Sequence, residues 1–187
     1  MGLEAVRLLV LDHDGVLTDN HVYTNQHGEE MCRYYRGDGI GIERVKAFGV
    51  TVACLASEVN PVVAARCAKL KIECVQGVKD KRANLETMGY YWRGGMPPLA
   101  EVAYVGNDIN DLECLKAVGF PFVPADAECI IQRLADYTSS AKCEPGWWDV
   151  RYRYGDFYGL SERGGYGCVR EVCDLIADAK EAARVHD

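Results

Sequence analysis

The sequence predicts an α/β fold around a central parallel sheet, and three features predict it. Short apolar runs at Leu8–Leu11, Val50–Ala56 and Val102–Val105 read as strands buried on both faces, which suits parallel pairing better than a half-exposed antiparallel sheet. Segments with apolar residues at helical spacing lie between such runs. The first and last of these runs end abruptly in acids and a glycine: Asp12-His13-Asp14-Gly15 after the first, and Gly106-Asn107-Asp108-Ile109-Asn110-Asp111 after the last. Adjacent parallel strands would bring both acid groups to one sheet edge. Carboxylates crowded there repel each other and lose hydration unless a cation sits between them, so the pattern points to a magnesium site.

Composition narrows the setting. A chain of 187 residues that is 49% hydrophobic fits one domain over residues 1–187 with a substantial core. With 28 acidic against 21 basic residues the net charge is -7, which disfavours nucleic acid or an anionic membrane as partner. The nine cysteines are odd in number and form no C-x-x-C pair, so free thiols in a reducing cytoplasm are expected rather than disulfides or zinc. No run approaches the roughly 18 apolar residues of a membrane span, and Leu8–Leu11 is too short for a signal-peptide core. The expectation is a soluble cytoplasmic protein.

Taken in order, the β-prone runs His21–Thr24 and Glu30–Tyr35 flank the turn-rich Asn25-Gln26-His27-Gly28 and predict a hairpin. A helix follows with Ile42, Val45 and Phe48 on one side and Gly49 as its stop. After the strand Val50–Ala56, Asn60 is a good N-cap and Pro61 suits the first helical position, with Val63, Cys67 and Leu70 as the buried stripe. Arg66 and Lys69 lie beside that stripe and could meet one anion, or serve as a solvated face. Ile72–Gln76 reads as a strand, and Gly77-Val78-Lys79-Asp80-Lys81 opens the next helix. Met88 to Pro98, rich in Gly, Pro and aromatic residues, suggests a loop or a loosely ended helix. Beyond the strand Val102–Val105, Phe120–Val123 is a short further strand, and the last helix carries Val169, Val172, Cys173, Ile176 and Ala177 on one side.

Asp12-x-Asp14-Gly15-x-x-Thr18 after an apolar strand resembles the first motif of the haloacid dehalogenase superfamily, most of whose members are phosphatases. The resemblance implies a three-layer, Rossmann-like fold with a hairpin flap, Asp12 as the nucleophile that becomes an aspartyl-phosphate, and Asp14 as the acid and base. His13 departs from the apolar residue usual between the two acids. Gly77-x-x-Asp80-Lys81 resembles the third motif and implies Lys81, with Lys79 as the exposed alternative, as the cation that neutralises Asp12 and the phosphoryl group. Gly106-Asn107-Asp108 resembles the fourth, implying Mg2+ held by Asp12, Asp14 and Asp108, with Asn107 as ligand or orienter and Asp111 behind them. At the second motif Ala56 takes the usual Ser position, so Ser57 or its N–H is the expected phosphate donor.

Arg36-x-Asp38-Gly39-x-Gly41-Ile42 is similar to one branch, the small phosphatases of octulosonate and nonulosonate sugars. Octulosonate enzymes typically carry Arg where this chain has Glu58, whereas nonulosonate enzymes carry Glu, and in the latter residues matching Arg66 and Lys69 come from a neighbouring subunit to bind the substrate carboxylate. The expected activity is therefore magnesium-dependent hydrolysis of a sugar-acid phosphate, first a nonulosonate 9-phosphate, with 3-deoxy-octulosonate 8-phosphate as the alternative. A different class is a non-catalytic oligomerisation module of the kind fused to sialic-acid cytidylyltransferases. Only about forty residues separate the first two motifs and about twenty the next pair, too few for a cap domain, so closure by a homotetramer is expected. Ala135-Asp136-Tyr137-Thr138-Ser139 resembles a family ending, but the aromatic stretch 143–163, with Trp147 and Trp148, reads as an insertion before Gly164-Gly165-Tyr166-Gly167, a lid or an interface patch.

Overall fold

The computed structural model describes residues 2–88, 95–129, 131, 153–154 and 157–185. Its strands are β1 (Leu8–Leu11), β2 (Thr18–Thr24), β3 (Glu30–Tyr34), β4 (Thr51–Leu55), β5 (Glu73–Val75), β6 (Val102–Val105), β7 (Phe120–Val123), β8 (Arg153–Tyr154) and β9 (Phe157–Gly159). Its helices are α1 (Gly37–Ala47), α2 (Pro61–Leu70), α3 (Lys81–Thr87), α4 (Leu112–Ala117) and α5 (Cys168–Val185).

β1 is the centre because all four of its side chains are apolar and fully buried. Alternation sends Leu9 and Leu11 into one core with Ile42 and Val45 of α1, Val63 and Cys67 of α2, and Val169 and Val172 of α5. Leu8 and Val10 enter the other core with Leu85 of α3 and Leu112 and Leu115 of α4. Helices thus cover both faces, giving three layers, and each such burial is worth about 1.5–3 kcal/mol. The sheet order among the described residues is β5-β4-β1-β6-β7-β9-β8, parallel throughout except for β8 against β9.

The expected hairpin is present as β2 and β3, a separate antiparallel ribbon whose turn is closed by Asn25, which accepts from the N–H groups of His27 and Glu29. The cap of α2 also forms as its sequence dictates: the Asn60 side chain accepts from Val62 N–H at 2.9 Å, with Pro61 at the first position. Residues 157–159 of the stretch read as an insertion extend the main sheet beside β7. Most of that stretch, and Ala135–Ser139, lie outside the described residues. Among the described residues eight cysteines are free, and no helix is long and apolar enough to cross a membrane.

One contact joins the two ends of the chain to the loop after β1. Gly164 lies so close behind it that a Cβ there would sit 2.1 Å from the Gly15 carbonyl oxygen. Gly165 N–H and the Cys168 thiol both donate to the Val16 carbonyl, at 3.0 and 3.3 Å.

Candidate active site

The loop after β1 and the loop after β6 leave neighbouring parallel strands at the same sheet edge, and Asp12 N–H donates to the Val105 carbonyl at 3.0 Å to tie them. Gly15 then turns the chain with φ +76, and a Cβ at this residue would lie 2.0 Å from Asn107 Nδ2, so both the turn and the close approach require glycine. The result is an open cavity of about 160 Å³ lined by Asp12, Asp14, Asn20, Ser57, Asn107, Asp108, Ile109 and Asn110.

Lys81, at the start of α3, is buried and reaches Asp12 Oδ1 at 2.6 Å and Asp111 Oδ1 at 2.8 Å. Lys79 is exposed, and Lys81 is the lysine that meets Asp12. Asp111 is fully buried and accepts from Lys81, from the Tyr104 hydroxyl at 2.7 Å, and from the N–H groups of Asn107 and Asp108 at 3.0 and 3.3 Å. It is the brace that sets the loop after β6. Asp108 caps the following turn by accepting from Ile109 N–H.

Burial, then the nearby Asp111 charge, push the Asp12 carboxyl well above the usual range, against the opposing pull of Lys81. Burial alone would lower the Lys81 ammonium, but Asp12 and Asp111 outweigh it and hold the pKa raised. Lys81 is therefore charged, and two carboxylates face one ammonium. The donors lining the cavity are carboxylate and amide oxygens, the set that suits a hard divalent ion such as magnesium, which would also offset the excess negative charge. Among the described residues no three His, Cys, Asp or Glu side chains gather tightly enough to hold a metal unaided, so a backbone carbonyl or an amide oxygen must complete the set.

Asp14 explains part of this. Its Oδ1 is taken by His13 Nδ1 at 2.9 Å, and that hydrogen bond, ahead of an opposing burial effect, lowers its pKa. The sequence marked His13 as unusual without giving it a role. Its other nitrogen meets the Tyr34 hydroxyl at 2.9 Å, a partner that no local pattern ties to it.

The second-motif departure resolves into geometry: Ala56 is buried, while Ser57 lines the cavity and accepts from Asn110 Nδ2 at 3.2 Å. Other expected site residues do not converge there. Glu58 and Lys69 are exposed and do not line the cavity. Arg66 turns to the hairpin, its guanidinium 4.7 Å from the Tyr34 ring centroid and donating to the Tyr35 carbonyl at 3.1 Å. Within one chain, Arg66 braces the hairpin and Lys69 is exposed, away from this chain's own cavity.

No family model matches the chain. It is 32% identical over 178 residues, 92% of its own length and 80% of theirs, to the 3-deoxy-D-manno-octulosonate 8-phosphate phosphatases KdsC of Salmonella typhi and Escherichia coli K12. A Moraxella catarrhalis 3-deoxy-D-manno-octulosonate 8-phosphate phosphatase, solved with magnesium, phosphate and KDO, superposes with TM-score 0.76 at 26% identity, covering 98% of this chain and 92% of that one. The cobalt-bound Haemophilus influenzae phosphatase gives TM-score 0.78 at 27% identity, covering 99% and 95%. A Streptomyces avermitilis protein described as a HAD family hydrolase gives 0.76 at 31% identity, covering 96% and 90%.

Proposed function

Since the chain belongs to the haloacid dehalogenase superfamily, in its capless branch of sugar-acid phosphatases, we propose that it hydrolyses a sugar-acid phosphate through an aspartyl-phosphate on Asp12. The observation that carries this is the convergence of Asp12, Asp14, Asn107 and Asp108 on one cavity, with Lys81 2.6 Å from Asp12.

In this reading Asp12 attacks phosphorus, its carboxylate oriented by Lys81 and by the His13 N–H that donates to Oδ1 at 2.7 Å. Asp14 protonates the leaving sugar oxygen and later takes a proton from the water that cleaves the intermediate. Lys81 and Ser57 offer positive charge and a hydroxyl to the phosphoryl oxygens. Asp12, the Asp14 carbonyl and Asp108, with the Asn107 amide oxygen, would hold Mg2+. Bound there, the ion supplies charge stabilisation to the transferring phosphoryl group.

The named activity of the curated relatives supports 3-deoxy-octulosonate 8-phosphate as the substrate. Glu58 favours a second reading, a nonulosonate 9-phosphate. Phosphate release from both esters, with and without a chelator, tests the proposal. Magnesium-dependent turnover of either is expected, and the preferred ester decides between the readings, whereas no turnover of any sugar-acid phosphate overturns the function. Arg66 and Lys69 lie away from their own chain's cavity, and Val22, Tyr23 and Met31 are exposed on the hairpin. These features support a homotetramer in which the two cations serve a neighbouring site. Mixing Asp12→Asn with Arg66→Ala subunits should then restore some activity.

A further inference from the structure

His13 is almost fully buried, yet both its ring nitrogens are spoken for by groups on different elements. Nδ1 lies 2.9 Å from Asp14 Oδ1 on the loop after β1, and Nε2 lies 2.9 Å from the Tyr34 hydroxyl on β3. The Tyr34 ring is itself fixed, edge-on to His13 at 5.8 Å and beneath the Arg66 guanidinium at 4.7 Å. Arg66 in turn is anchored to the Tyr35 carbonyl. A chain of contacts therefore runs from α2 through the hairpin to the one acid of the loop that is substantially open, its side chain 45% exposed.

The chemistry fixes the direction of the bond to Asp14. An ionised carboxylate only accepts, so Nδ1 carries the hydrogen toward Asp14, while Nε2 pairs with the Tyr34 hydroxyl, which can donate to a neutral ring or accept from a charged one. When Asp14 is protonated, its carbonyl-type oxygen is the stronger acceptor, so the facing Nδ1–H keeps Oδ1 as that oxygen. The proton then sits on Oδ2.

We propose that His13 is a positioning residue for Asp14: held from the hairpin by Tyr34, it occupies Oδ1 and so reserves Oδ2 as the oxygen that gives and takes the proton. This rests on the reading of Asp14 as acid and base. In the first step the Asp12–phosphorus bond forms, the phosphorus–sugar oxygen bond breaks with its electron pair going to the sugar oxygen, and that oxygen takes the proton from Oδ2. In the second, water gives a proton to Oδ2 as its oxygen bonds to phosphorus, and the Asp12–phosphorus bond breaks with its pair returning to Asp12. Without His13 the carboxylate is left to the Thr18 hydroxyl and would sample orientations that do neither.

The test uses two esters and the variants His13→Phe, His13→Asn and Tyr34→Phe. A sugar-acid phosphate has an alkoxide leaving group that needs a proton, whereas 4-nitrophenyl phosphate leaves as a stable anion. Both esters share the second step, so the first is read in kcat/KM: His13→Phe is expected to lose at least about tenfold more kcat/KM on the sugar ester than on the aryl ester. His13→Asn, whose amide N–H can replace Nδ1–H, should recover part of that loss, and Tyr34→Phe should shift the ratio the same way by a smaller factor. Equal losses of kcat/KM on both esters, or no loss on either, would overturn the inference. Should His13→Phe fail to fold, as a thermal melt would show, the single hydroxyl removed in Tyr34→Phe carries the same comparison. Wild-type protein inert toward both esters, or Asp14→Asn that still turns over the sugar ester, would instead remove the parent reading.

Discussion

The acids that follow β1 and those that follow β6 sit side by side at one sheet edge, but their hydrogen bonding separates them. Asp111, after β6, is fully buried and accepts from four donors, whereas Asp12 meets Lys81 and one N–H, and Asp14 meets the His13 imidazole and the Thr18 hydroxyl and keeps an open side. A saturated buried carboxylate has no lone pair left for chemistry and holds the loop in place. An under-committed one beside a cavity is available to react. Asp38, on α1, is as buried as Asp111 but accepts only from Arg170 N–H at 3.1 Å, and its Oδ2 has no partner. Donor count rather than burial distinguishes these acids.

Four substitutions test that distinction. Asp12→Asn should lower turnover by at least about a thousandfold while leaving the melting temperature nearly unchanged, because the amide keeps an oxygen for Lys81 and the His13 N–H. Phosphate release and a thermal melt read the two arms, and loss of fold together with activity would class Asp12 with Asp111. Asp111→Ala should cost about 3–5 kcal/mol of stability, since it leaves Lys81 and Tyr104 buried with an acceptor gone. Chemical denaturation measures this, and a cost under about 1 kcal/mol would sink the brace.

Asp38 sets the pH arm. Burial raises its carboxyl from 3.8 to about 7, so the folded state favours the protonated acid. The stability this acid brings is intact below pH 4, falls as the pH rises toward 7, and is absent above it. Asp38→Asn keeps an oxygen for Arg170 N–H and should therefore stabilise the protein by about 2–4 kcal/mol at pH 8 and by little at pH 4. Denaturation at both pH values checks the difference, which should vanish if Oδ2 finds a donor in solution. Smallest is Asp108→Ala, expected to raise the magnesium concentration for half-maximal activity about 10–100-fold, with a stability cost of about 1 kcal/mol for the lost cap. An unaltered requirement would move Asp108 to the structural side.

What could be read in the sequence was what depends on neighbours along the chain. Leu8–Leu11 is apolar on both faces, Asn60 and Pro61 cap their own helix, and Lys81 follows the N-cap Asp80, so strand, cap and cation were all legible before any contact was known. The His13–Tyr34 bond spans 21 positions and joins a loop to a ribbon, which no periodicity encodes. Arg66 is a second case. Its spacing from Lys69 suggested an anion site, and the contacts it makes within the chain, to the Tyr34 ring and the Tyr35 carbonyl of the hairpin, are not encoded in that spacing. The strand β9 escaped notice because three residues, Phe157–Gly159, are too few to carry an alternation signal, and they join the sheet only through pairing with β7.

The close seat of Gly164 against Gly15 also sets a schedule for biosynthesis. About 150 positions separate the turn bearing Asp12 and Asp14 from the segment that backs it. At ordinary translation rates the nascent chain waits on the order of ten seconds between extruding one and the other. During that interval the acids are exposed on a turn with nothing behind it. A ribosome-bound fragment stopped before residue 160 should therefore present a protease-sensitive turn at 13–17, and that sensitivity should disappear once the glycine pair and the final helix emerge.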